Sequence, residues 1–394
     1  MLNRLHQDTF LLSAFEHSSM NSRPFRRLLL SATRRSGAQR FFRLWSRGPT
    51  VLFYHGVEEQ FVDRQVQTLH LPLQIFEKQI DFLRCNREVL SMDDLYESIN
   101  QGRPLDPRQV VLTFDDGYKN NLQVVAPLLN AWKLPFTVFV STRHISEGHR
   151  LPTYYIRTAI LHAQHKSVCL RSIGQTFDLT TAAKRSTASA MIISAMKKAP
   201  QHLVQQIVSE CQALLPPTTW ADLNAAFSSE QPMNWRDVNQ IRDMGATIGS
   251  HCHDHSILNS CQNEKDTLRQ LEQSKSIIEK NVGPCRYLAY PNGTVDDISR
   301  DAYISAQAAG FRIAFTTIPG EITPQIDCFL APRIFGVLEY EEFCYALNRT
   351  ARQNEVYCAV RWTAKGSRIA ETEAASQRSA NNPARNDGKV QTIS

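Results

Sequence analysis

The chain has 394 residues, 42% of them hydrophobic and 21% charged, enough to bury one large core or two small ones. Its net charge is +6, and residues 1–48 account for that excess, with nine Arg there against Asp8 and Glu16 alone. The rest is near neutral, which argues against a general polyanion-binding body and makes nucleic acid a poor candidate partner.

The nine Cys (85, 169, 211, 252, 261, 285, 328, 344 and 358) are odd in number and contain no Cys-x-x-Cys pair. They suit free, largely buried thiols in a reducing compartment better than a disulfide framework. The apolar runs Phe10-Leu11-Leu12 and Leu28-Leu29-Leu30 are shorter than the roughly 7–15 residues of a signal-peptide core. They are further still from the ~20 that span a bilayer. A cytoplasmic protein is expected, with peripheral membrane contact through residues 24–47 as a further expectation.

Residues 1–48 read as a basic extension. Phe25, Leu28, Leu29, Ala32, Phe41, Leu44 and Trp45 approximate a helical stripe with Arg between them, and Ser36-Gly37 should divide it into two short helices. Such a stripe fits an interfacial helix drawn to anionic lipid, or a basic leader packed on the domain or disordered. The first buried strand, Thr50 to Tyr54, ends at His55-Gly56, and Phe76, Ile80 and Leu83 then repeat at helical spacing. Val110 to Phe114 is a second buried strand, ended by Asp115-Asp116-Gly117. Val124, Leu128 and Leu129 mark a helix, and Phe136 to Val140 a third strand. Strand–helix–strand repetition of this kind predicts parallel pairing.

Between residues 150 and 232 the rhythm changes to a helix-rich stretch with no evident strand, read as an insertion from one barrel loop. The rhythm resumes at Asn234, an N-cap with Asp237 three positions on. Ala246 to Ser250 is a strand delivering His251, a helix runs from about Glu264 to Lys280, and Tyr287 to Tyr290 is the next strand. Asp297 to Ala309 reads as helical, Arg312 to Thr316 as a strand, and Phe329 to Ile334 as the last. After about Gly366 no apolar period remains. The expected organisation is an extension over 1–48, a barrel over 49–362 interrupted by 150–232, and a disordered tail over 363–394.

Polar groups thus recur where buried strands end, which is how a parallel α/β barrel assembles an active site at one rim. Adjacent carboxylates at Asp115 and Asp116 repel, and a cation resolves the conflict by binding one and keeping the other ionised. His251 and His255, four apart, would face one side of a helical turn and chelate a single ion. In an extended segment His251, His253 and His255 would share a face instead. One carboxylate with two imidazoles leaves room for water, the open pattern of a catalytic metal. Zn²⁺ is the first choice, with Co²⁺, Ni²⁺ and Mn²⁺ compatible.

Thr113-Phe114-Asp115-Asp116-Gly117, then Gly249 through His255, then Leu288 through Gly293, in that order, closely resemble the polysaccharide deacetylases of carbohydrate esterase family 4, which share the NodB homology domain. The resemblance runs from about Val51 to Arg333 and implies a distorted (β/α)7 barrel, here with a helical insertion and flexible termini. It implies a metal-dependent deacetylase that hydrolyses the acetamido group of an amino-sugar-containing glycan or glycoconjugate. Carried over by position, Asp116, His251 and His255 would hold the metal and Asp115 would be the general base. Tyr54-His55 resembles the poly-β-1,6-N-acetylglucosamine deacetylases, whose first-motif histidine is the general acid, here His55. The turn at Tyr290, Pro291 and Asn292 would offer a backbone N–H to the oxyanion, and Arg333 would orient the base. Cys252 departs from the usual Ser or Thr and adds a candidate soft ligand, and Asn292 stands where Tyr or Phe is frequent. Two alternatives stay open: a deacylase or deformylase of a lipid-linked sugar at the cytosolic membrane face, and a catalytically silent glycan-binding barrel.

Overall fold

The computed structural model describes residues 48–336 and 339–349. The basic extension and the tail expected from the sequence lie outside the described residues. Element boundaries follow from the buried runs. β1 (Thr50–Tyr54) is buried throughout, and the short β2 (Gly56–Glu58) pairs in parallel with β3 (His70–Pro72). Pro72 precedes α1 (Leu73–Asn86), which buries Phe76, Ile80 and Leu83 on one face. β4 (Glu88–Leu90) leads to α2 (Met92–Asn100), whose Ser91 cap accepts from the Asp94 N–H. β5 (Gln109–Phe114) follows. The helix expected around Val124 opens with a π-helical turn, Asn121–Val125, before α3 (Ala126–Ala131). β6 (Phe136–Val140) and a short α4 (Thr142–Glu147) come next.

The inserted stretch comprises α5 (Pro152–His162), β7 (Ser167–Leu170), β8 (Gln175–Asp178), α6 (Ala182–Lys197), α7 (Gln201–Gln212) and α8 (Pro217–Ala226). The sequence reading found no strand here, yet β7 and β8 form an antiparallel hairpin. Each strand is only four residues long, and Val168, Leu170 and Phe177 are its only buried members. Ile156, Ile160, Phe177, Ile192, Met196 and Ile207 belong to a hydrophobic cluster separate from that of the barrel. The chain returns through Pro232, which bridges Tyr118, and through the Met233 N–H, which donates to the Gly117 carbonyl at 2.9 Å.

α9 (Trp235–Asp243) carries the expected reciprocal cap between Asn234 and Asp237, and β9 (Ala246–Ser250) follows it. α10 (Glu264–Asn281) and β10 (Tyr287–Ala289) match the reading closely. The helix expected from Asp297 is split into a 3₁₀ turn at Val295–Asp297 and α11 (Arg300–Ala308), restarted by the Ser299 cap. β11 (Ile313–Phe315), β12 (Ile334–Phe335) and α12 (Tyr340–Arg349) are the last elements among the described residues.

The main sheet runs β11-β10-β9-β6-β5-β1-β12, with β4 added to β5, and every pair in it is parallel. Its open edges are joined by one segment. Ala331 bridges Phe315 and bonds Ala314, while Ile334 and Phe335 pair with Leu52 and Phe53. The barrel therefore closes on a seventh, irregular position, which is the distorted (β/α)7 form. The expected last strand at Phe329–Ile334 is regular only at Ile334–Phe335, because Pro332 lacks the N–H that a ladder needs.

Alternation along the strands sorts the core. Val51, Val111, Phe139, Tyr287, Ala289, Ile313, Phe315 and Ala331 pack together inside the barrel. Their neighbours Leu52, Leu112, Val138, Ile248, Leu288 and Ala314 pack in the layer beneath the helices. Period two continued past the strand ends puts His55, Asp115 and His251 on the inward register at one rim. Half of the eight described cysteines (211, 252, 285 and 344) are buried, so the thiols are less buried than composition suggested.

Candidate active site

Asp116 sits one position out of the inward register, and its backbone at φ 75° brings the carboxylate back to the rim. Cys252 (φ 63°), His255 (φ 53°) and Asn292 (φ 60°) also occupy the left-handed region. Non-glycine residues there cost on the order of 1–3 kcal/mol each and persist where surrounding contacts over-determine them. Four of the five such residues among those described lie in the three motif loops.

One ligand atom each from Asp116, His251 and His255 lies within 4.8 Å of the others. Nε2 of His255 and of His251 are 3.1 and 3.4 Å from Asp116 Oδ1, an atom that is buried and receives no well-directed hydrogen bond. His251 donates from Nδ1 to the Ala289 carbonyl at 2.7 Å. A carbonyl only accepts, so the neutral ring presents the Nε2 lone pair to Asp116. A carboxylate oxygen facing imidazole lone pairs needs a positive charge between them, either a proton or a cation. Burial alone would raise Asp116, but His251 and His255 hold its carboxyl well below the usual range. Burial would likewise lower His251, but the neighbouring carboxylates of Asp116 and Asp115 raise it. The donor set of one oxygen and two nitrogens fits a divalent ion such as zinc.

The loop holding the two histidines is neither the helical turn nor the extended run considered from the sequence. With Cys252 and His255 left-handed, His253 turns aside to Thr142 Oγ1 at 2.8 Å. The Cys252 thiol packs into the apolar layer beneath the helices, where burial pushes it up, and it is not among the side chains that converge with Asp116.

Asp115 and Arg333 form a buried bidentate pair. Nη1 and Nη2 donate to Oδ1 and Oδ2, both at 2.8 Å. Arg333 is 0% exposed, lies 4.7 Å from the Phe53 ring centroid, and also donates to Thr113 Oγ1 and the Thr316 carbonyl. Burial would raise Asp115, but the guanidinium outweighs it and holds the carboxyl below its ordinary value. His55 Nε2 is 4.0 Å from Asp116 Oδ2, and its backbone carbonyl accepts from Asn121 Nδ2 at 2.7 Å. Burial lowers His55, and the opposing pull of Asp116 and Asp115 does not restore it.

Tyr290 is buried with its hydroxyl donating to the Phe329 carbonyl at 3.2 Å. Pro291 and Asn292 form the turn beyond it, and the Asn292 carbonyl accepts from Thr317 Oγ1 at 2.8 Å. The Asn292 N–H donates to no backbone carbonyl outside regular elements among the described residues. Asn292 Oδ1 accepts from Lys197 Nζ at 2.7 Å, so the end of α6 touches this turn. Lys197 escaped the sequence reading, since nothing local marks a lysine 95 residues from its partner. Thr113, the first residue of the motif that ends β5, places a hydroxyl within an apolar strand where it accepts from Arg333.

A family model described as polysaccharide deacetylase matches residues 102–313, more than half of the chain. The chain belongs to that family, and the matched range contains Asp115, Asp116, the His251–His255 loop and the Tyr290 turn. Among curated relatives, the poly-β-1,6-N-acetyl-D-glucosamine N-deacetylase of Escherichia coli (strain K12) is 32% identical over 89 residues. That match covers 22% of this chain and 13% of the relative's length. Solved structures similar to this chain include the Streptococcus pyogenes deacetylase PplD in complex with acetate (13% identity, TM-score 0.49) and IcaB from Ammonifex degensii (15% identity, TM-score 0.49). Each comparison covers 77% of this chain and 97% of the other. The fold assignment rests on the strand order and closure described above.

Among the described residues, no helix is long and apolar enough to cross a membrane.

Proposed function

We propose that this chain is a divalent-metal-dependent N-deacetylase acting on the acetamido group of an amino-sugar-containing glycan or glycoconjugate. The observation that carries this reading is the convergence of Asp116, His251 and His255 beside an Asp115 kept ionised by Arg333. A bound zinc ion would polarise the attacking water and the acyl oxygen. Asp115 takes the water proton, and a backbone N–H of the Tyr290–Gly293 turn, Asn292 first among them, stabilises the developing oxyanion. His55 delivers a proton to the leaving amine. Burial works against the protonated form this role requires, and the charges of Asp116 and Asp115 favour it. The named substrate of the Escherichia coli relative makes β-1,6-linked N-acetylglucosamine oligomers the first test compounds.

Chelator-stripped full-length chain should release no acetate from such oligomers, and adding back Zn²⁺ or Co²⁺ should restore release, scored by substrate mass. Absence of release with every divalent ion across a panel of N-acetylated oligosaccharides would favour a silent glycan-binding barrel. The intact set of convergent ligands weighs against that outcome.

The Arg-rich stripe over residues 24–47 favours a second reading, in which the same site serves a lipid-linked N-acyl or N-formyl sugar at a cytosolic membrane face. Deleting residues 1–48 should then lower sedimentation with anionic liposomes several-fold while leaving acetate release from soluble oligomers intact. Unchanged partitioning would remove the leader as an anchor.

A further inference from the structure

α10 is 18 residues long, and its buried stripe contains Thr267, Gln270, Leu271, Ser274 and Ile278. Three of these five are polar, which is unusual for a helix face turned inward. Two of the three bear on the loop between His251 and His255, Gln270 directly and Ser274 through Ser250 at the end of β9. Ser274 Oγ lies 2.7 Å from Ser250 Oγ, which accepts from the Cys252 N–H at 3.2 Å. One turn earlier, Gln270 makes a two-point clamp on Asp254. Its Nε2 donates to Asp254 Oδ2 at 2.7 Å, and its Oε1 accepts from the Asp254 N–H at 2.8 Å. Gln270 is 3% exposed and Asp254 8%.

The opposite side of the loop is held from the start of α4. The carbonyls of His251, Cys252 and His253 accept in turn from Ser141 Oγ (2.8 Å), the Thr142 N–H (3.3 Å) and the Arg143 N–H (2.9 Å). Arg143 Nη1 also reaches Asp254 Oδ1 at 3.3 Å. These contacts account for His251 through His253. Past them the chain must still enter the left-handed conformation of His255 at φ 53°. Asp254 immediately precedes that residue, and Gln270 fixes both its backbone and its side chain.

We propose that Gln270 and Asp254 are a positioning pair, in which the amide on α10 grips the residue before His255 and so sets the separation of the two imidazoles for a single metal ion. The inference rests on the metal reading above and concerns binding rather than turnover. Partners one shell out from metal ligands typically contribute 10–100-fold to affinity. The rigidity of α10 makes it a better anchor than the loop itself.

The test is a competition titration of Zn²⁺ against a chromogenic chelator, using the metal-free full-length chain. Gln270→Ala removes both contacts, and Gln270→Glu keeps the size while setting one carboxylate against another. Both should weaken zinc binding by at least about tenfold. Combining Asp254→Asn with Gln270→Glu exchanges donor and acceptor across the pair and should return affinity to within a few-fold of wild type. If Gln270→Ala fails to fold, the Gln270→Glu and exchanged variants carry the comparison. Single variants that bind zinc as tightly as wild type would overturn the proposal, and so would an exchanged pair that recovers nothing. A wild-type chain that binds no divalent ion would instead overturn the metal reading beneath it.

Discussion

Asp115→Asn is expected to lower acetate release by about 10²–10⁴-fold, the usual contribution of a positioned general base, while zinc content stays at the wild-type level. An amide cannot accept the water proton, whereas the proposed ligand atoms on Asp116, His251 and His255 are untouched. The amide keeps one acceptor for Arg333 and turns its NH₂ toward the other guanidinium nitrogen, which now donates at 2.8 Å to Oδ2. One donor is then left unmatched in a buried place, at about 1–3 kcal/mol. Denaturant unfolding of the same variant, run beside metal analysis, separates that modest stability loss from the loss of rate. Wild-type turnover in a folded, zinc-replete variant would remove Asp115 from the base role.

The second large effect is on stability. Arg333→Met should destabilise the metal-free chain by about 3–5 kcal/mol at neutral pH, because removing one partner strands the other charge in the interior. Methionine can fill the space among Phe53, Phe139 and Phe315, so the deficit would report the unpaired carboxylate more than a void. The sign of the pH dependence follows from Asp115. In the wild type its depressed pKa contributes stability above the ordinary carboxylate value of ~4, and that contribution is lost as pH falls through the depressed value. Without the guanidinium, burial raises the same group instead. The variant's penalty is then full near neutrality and relieved as pH falls through the raised value toward ~4. Urea unfolding at several pH values would register this as a gap between the two proteins that narrows on acidification. A gap independent of pH would assign Arg333 to packing alone.

The parts of this molecule readable from sequence are those governed by local period. Val110 to Phe114 announces a buried strand, and its alternation carries Asp115 to the inward rim, as Val51 and Phe53 carry His55. The Asn234–Asp237 cap was legible because a reciprocal cap involves only four consecutive residues. Asp116 was legible as a candidate ligand only through family resemblance. Alternation alone would turn it away from the rim, and the left-handed backbone that re-aims it has no local signature in a string of two aspartates. Arg333 illustrates the other limit. A strand-end arginine looks ordinary until the partner 218 residues earlier is placed against it. Gln270 stayed invisible for the same reason, since a glutamine on a charged helix reads as surface until the loop it grips is seen. The β7–β8 hairpin was lost to its brevity.

The segment that closes the barrel has a consequence for the order of assembly. Translation delivers Arg333 after every other side chain placed at the rim, and Ile334 and Phe335 must find β1, made at the very start of the barrel. Joining stretches so distant in sequence is entropically costly and comes late in folding. Until that seam is sewn, Asp115 has no guanidinium to hold its charge, so on the proposed mechanism a growing chain would carry the metal-binding side chains without a competent base. The proposed hydrolytic competence would thereby be tied to completion of the cylinder, leaving a half-made molecule chemically quiet.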